Sequence, residues 1–104
     1  MDNDVVWQLI LPDGLVADLM HDATRDDFPW RGVRVRKGPL WSEVADDLQR
    51  DLELVEAEAW DEWEELWVGL RARGLRVLSS DGGEVELFAL HSDGTTAKLR
   101  YLEP

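Results

Sequence analysis

The sequence predicts an α+β domain in two layers: a mostly antiparallel sheet, with strands from both chain ends, packed against one long acidic helix. Three observations carry this expectation. Apolar residues recur in steps of four and three from Val44 to Leu70, the spacing of one helical face. After Gly74, short apolar runs separated by Asp-Gly turns read as a C-terminal three-strand meander. Ahead of the helix, "DVVWQLILP" and "RGVRVRK" both read as strands. At 104 residues the chain is read as a single domain, 1–104, long enough for one core.

In chain order, the first strand is stopped by Pro12, Asp13 and Gly14. "LVADLMHDA" is read as a short helix, with Leu15, Leu19 and Ala23 at helical spacing. "TRDDFPW" is a loop, because Pro29 biases Phe28 away from helix. "RGVRVRK" alternates Val33 and Val35 with Arg34 and Arg36, as a half-buried strand does. Its arginines are expected to pair with the chain's own acidic groups rather than to form an anion clamp.

The helix is expected from about Ser42, a plausible N-cap followed by Glu43, to Arg73. Arg71 and Arg73 suit its negative end, and Gly74 suits the left-handed position just beyond it. The stripe Val44, Leu48, Leu52, Val55, Ala59, Trp63, Leu66 and Leu70 is about 100° wide. Unbroken, such a helix is about 45 Å long, and Glu56 to Glu58 is where a kink would relieve that length. In the meander, "SDGG" and "HSDG" are turns, the second with Gly94 left-handed in a bulge. That bulge would set Glu86 against Lys98 and Glu84 against Arg100.

Charge narrows the function. The formal net charge of −12 disfavours DNA, RNA and anionic lipid as partners. It leaves a solvated acidic surface, an acidic face for a basic protein, or cation binding. The last is weak, since no stretch has the Gly-pivoted ligand spacing of a calcium loop. The absence of cysteine excludes disulfides and thiolate metal sites and fits a cytoplasmic location. The acidic opening residues do not suit a secretory signal, and the apolar run there is too short for a bilayer.

Histidines are the natural acid–base groups near neutral pH, and there are two. His21 stands near Asp22, Asp26 and Asp27; His91 opens the "HSDG" turn, where Asp93 has a turn role. Both are read as structural, and neither a metal nor a cofactor is expected. Ser79, Ser80 and Ser92 sit at turns, outside any nucleophile motif. In "AWDEWEELW", Trp63 falls in the core stripe while Trp60 and Trp67 fall at its margin, ringed by Asp61, Glu64 and Glu65. Leu54 and Val68 lie on the far, acidic side. Aromatic anchors with a charged rim suggest a protein-binding surface.

The sequence therefore points to a non-enzymatic interaction module that binds a basic protein or a second copy of itself. An inhibitor, antitoxin, immunity protein or nucleic-acid mimic would have this size and charge. The competing class is a small enzyme or ligand-binding domain that uses the loop from His21 to Trp30 and the His91 turn. A third is a soluble domain whose acidity reflects only its source.

Overall fold

The computed structural model describes residues 5–102. Pro12 and Asp13 close a tight hairpin between β1 (Val5–Leu11) and β2 (Gly14–His21), whose ends pair Leu11 with Gly14. The segment expected as a short helix is thus a strand. Leu15 and Leu19 misled because a step of four keeps a residue on one face of a strand as well as of a helix. The residue between them decides: Ala17 is buried opposite Leu9, and Leu19 opposite Trp7. On the other face Gln8 Nε2 donates to Asp18 across the same pair, at 3.1 Å.

β3 (Arg31–Lys37) forms as expected, with Val33 buried and Arg34 and Arg36 exposed. Arg36 pairs with Asp18 of β2 at 2.6 Å, so the basic strand does find an acid of its own chain. β4 (Arg76–Ser79), β5 (Glu84–Ser92) and β6 (Thr96–Leu102) make the predicted meander. Its outer strands do not end there. β4 pairs with β1 (Leu9 opposite Val77) and β6 with β3 (Val33 opposite Ala97). The order β1-β2-β3-β6-β5-β4 closes on itself as an antiparallel barrel of six strands. The open two-layer sheet is overturned, and the misread β2 is the reason: it is the strand that joins β1 to β3. Among the described residues, closure leaves no long unpaired edge.

The single long helix is also overturned. A 3-10 turn (Trp41–Glu43) leads into α1 (Ala45–Glu56), and α2 (Trp60–Ala72) follows as a separate helix. Ser42 therefore caps nothing; Val44 holds the N-cap position without a side-chain bond. The break falls where the kink was expected. Glu58 adopts φ 55°, the Ala59 N–H bonds the Leu54 carbonyl, and the Glu58 N–H bonds that of Val55. This is a Schellman close without its usual glycine. The same pair of bonds ends α2, where Gly74 (φ 93°) and Leu75 bond Arg71 and Leu70. The helices run antiparallel: Arg73, at the end of α2, donates to Asp47 near the start of α1 at 2.8 Å.

α1 packs on β5. Leu9, Leu19, Val33, Val77, Leu90 and Leu99 from the barrel share one core with Leu48 of α1 and Trp67 and Leu70 of α2. The β5–β6 register also differs from expectation. A bulge at Phe88 sets His91 opposite Lys98, Ala89 opposite Arg100 and Glu86 opposite Leu102. β5 runs through His91 to Ser92, so the turn is shorter than read, although Gly94 is left-handed (φ 95°) as expected. Glu–cation matching misplaced the register because these charges pair elsewhere: Glu84 meets Arg76 of β4 at 3.5 Å, and Lys98 meets Asp27 at 3.3 Å. Among the described residues no helix is long and apolar enough to cross a membrane.

Candidate functional site

Asp51 lies on the covered face of α1, between buried Leu48 and Leu54, and its exposure is 0 %. A carboxylate stripped of water is costly unless donors replace the water. Three do. Trp63 and Trp67, one helical turn apart on α2, point both indole N–H groups at Asp51 Oδ1, at 2.7 and 2.8 Å. His91 Nδ1 meets Oδ2 at 2.6 Å. Alternation along β5 turns Leu90 into the barrel and His91 outward, towards the helices.

Trp30 holds the His91 ring from the loop between β2 and β3, its centroid 4.5 Å away and tilted by 31°. Trp63 also borders the ring, at 6.4 Å. In the tautomer whose Nδ1 donates to Asp51, the uncharged imidazole has its lone pair on Nε2. His91 lines a cleft of about 220 Å³, together with Arg25, Leu52, Asp93, Thr96, Ala97 and Lys98.

Two cations border that cleft. Arg25 Nε lies 3.4 Å from Asp22, and Lys98 Nζ lies 3.3 Å from Asp27. Both cations are half-exposed, so these pairs hold them weakly and leave them able to turn to a ligand. Asp93 is committed to its turn. The backbone N–H groups of Thr96 and Thr95 both bond it and hold its carboxyl below the usual aspartate range.

Arg25 reaches the cleft because its 3-10 turn (Ala23–Arg25) lies against β3. Gly32 permits this: a Cβ there would come within 2.5 Å of the Arg25 backbone and side chain. Asp22 caps the turn through Thr24, and its backbone N–H bonds the Gly32 carbonyl at 2.9 Å. Asp26 accepts the Gly32 N–H at 2.8 Å, the leading cause of its lowered pKa, and also bonds His21 Nε2 at 3.0 Å. His21 thus braces the loop, with Trp7 edge-on at 6.1 Å, and joins a different network from His91. The loop and β-turn singled out in the sequence do meet, through Trp30 and Arg25 rather than through His21.

The other singled-out residues divide. Trp60 and Val68 are large apolar side chains left about half exposed, at 52 % and 55 %, with Asp61, Glu64 and Glu65 exposed beside them. Trp67 and Leu54 were expected outside the core stripe and are instead buried. Trp63, expected to be fully buried, is only partly so. The helix break is the cause: α2 has its own packing face, with Trp67 and Leu70 at its centre.

Asp51 was missed by sequence reasoning. Its signal was present: the steps 44, 48, 51 and 55 run straight through it, an aspartate at a core position of an amphipathic helix. Among the described residues no three His, Asp or Glu side chains gather as a metal site. No protein-family model, curated protein or solved structure matches this chain.

Proposed function

We propose that this domain binds a small anion-bearing organic molecule in the His91 cleft and transfers a proton on it, with His91 as general base. The observation that carries the reading is His91 itself. Its Nδ1 is fixed by a fully buried carboxylate while its ring lines a cleft bordered by Arg25 and Lys98. In this scheme the guanidinium and the ammonium neutralise the ligand's carboxylate or phosphate. His91 Nε2 accepts a proton from a ligand hydroxyl or a water as that O–H bond breaks. The positive charge then developing on the ring faces the buried Asp51, where low dielectric strengthens the attraction. Trp30 fixes the ring plane and offers its face to the same charge.

The cleft is smaller than the ~300–1,000 Å³ usual for drug-sized ligands, which favours a compact metabolite. A cysteine-free chain suits a reducing compartment, and the cytoplasm is where we place this activity. The test is a titration with inorganic phosphate and a panel of small carboxylates and phosphate esters. It follows the His91 ring protons by NMR and tryptophan fluorescence. Saturable shifts should occur and should be lost in Arg25→Gln and Lys98→Gln. If no panel member gives a saturable response at His91, the reading is wrong.

A further inference from the structure

We propose that the outer face of α2 docks a basic amphipathic helix of a second protein, independently of the His91 cleft. Three features of that face converge. First, Trp60 and Val68 stand exposed on it. At 100° per residue they share one side of the helix with Asp61, Glu64 and Glu65, opposite the packed Leu66 and Leu70.

Second, Gly69 interrupts the interior of a 13-residue helix. Glycine there is a poorer helix former than alanine. Nothing among the described residues requires it: its φ is not positive, and a Cβ would meet none of their atoms within 4 Å. The requirement that explains a bare backbone beside exposed Val68 and Ala72 is close approach from outside.

Third, charge selects the occupant. The face carries Asp61, Glu64 and Glu65, and Arg71 is the α2 cation that falls on the same side. Arg71 of α2 is turned to the Phe88 carbonyl at 3.2 Å, and Arg73, just beyond it, to Asp47. A second copy would press like charges together, in a chain whose formal charge is already −12. A helix with leucines along one stripe and arginines flanking it matches both the apolar centre and the acidic rim.

The experiment uses the full chain and a panel of synthetic helical peptides with Leu on one face and Arg beside it. Controls have the same charge but Ala for Leu. Amide shifts should concentrate on the outer face of α2, and the Ala controls should bind at least about tenfold more weakly. Val68→Ser should weaken binding by a similar factor. Gly69→Gln is the discriminating variant. It should raise the thermal midpoint, since glutamine is the better helix former, while lowering affinity at least about tenfold by blocking approach. Unchanged affinity in both variants overturns the proposal. So does binding equally strong for the Ala controls, or no binding by any peptide. A dimer of the free chain that Val68→Ser dissociates overturns it in favour of self-association.

Discussion

Asp51→Asn and Asp51→Ala separate two roles of the buried carboxylate. In the alanine variant Trp67 loses the partner of an N–H with no route to water, since its side chain is only 1 % exposed. An orphaned buried donor costs about 1–3 kcal/mol. Trp63 and His91 are partly exposed and can turn to solvent, so each loses only a net bond, about 0.5–1.5 kcal/mol. With a small cavity added, Asp51→Ala should destabilise by about 3–5 kcal/mol in a urea melt. Asparagine keeps an acceptor oxygen for both indoles, and the cost should fall to about 1–2 kcal/mol. Its amide, however, presents a donor to His91. Nδ1 must then accept, and the imidazole proton moves to Nε2, the nitrogen proposed to act as base in the cleft. Imidazole nitrogen shifts read the tautomer directly. Asp51→Asn should therefore be folded, carry inverted His91 and lack any proton-transfer activity of the wild type. An alanine variant as stable as wild type would refute the energetic argument. An unchanged His91 tautomer in the asparagine variant would refute the chemical one.

Leu48→Ala should cost about 2–5 kcal/mol and Trp67→Ala about 3–5 kcal/mol in denaturant melts, whereas Trp60→Ala should stay within about 0.5–1 kcal/mol. Equal losses at Trp60 and Trp67 would contradict the burial pattern of α2. Burial raises the pKa of Asp18, but hydrogen bonds from Arg36 and Gln8 outweigh it and leave a net lowering. A lowered folded pKa contributes stability that is full above the ordinary 3.8 and is lost as pH falls through the folded value. Thermal midpoints measured from pH 5 down to pH 2 should fall less steeply for Asp18→Asn than for wild type, and parallel curves would dismiss the linkage. Gly32→Ala should displace the Arg25 turn and weaken any anion response of the cleft, read by the phosphate titration; an unaltered titration would show that the turn accommodates a Cβ. Gel shifts with DNA and RNA at low salt should be blank, and salt-sensitive retention would show that β3 presents a basic surface after all.

How much of this was legible depended on what each pattern can distinguish. Alternation named β3 and the turn residues named the meander, because a period of two with Asp-Gly punctuation has few other meanings. Leu15 and Leu19 in β2 were ambiguous, since a step of four satisfies both periods. That one ambiguity converted a closed barrel into an open sheet. The stripe from Val44 to Leu70 found helix in each half but not the buried face of either, since Leu54 and Trp67 lie outside it and are buried; periodicity cannot see a left-handed residue, and Glu58 supplies one without being glycine. The loop and turn of the candidate site were singled out from their residue types, whereas the bond between His91 and Asp51 was not foreseen. Helical spacing marks Asp51 as a core position, but no local pattern names its donors, which come from α2 and β5.

The two walls of the cleft differ in how they are held, and this decides what mutagenesis there can teach. On one side, His91 belongs to the hydrogen-bond network that fastens the helix hairpin to β5, so substitutions at Asp51 or His91 alter stability and chemistry together. On the other side, Arg25 and Lys98 rest on exposed ion pairs that contribute little to folding. Replacing either cation should leave the urea midpoint near wild type while removing the proposed recognition of an anion. Arg25→Gln and Lys98→Gln therefore probe the ligand alone. If the tight contact between His91 and Asp51 serves only to fasten the hairpin, those two variants will match wild type in every ligand titration, and Asp51 and His91 will matter to stability alone.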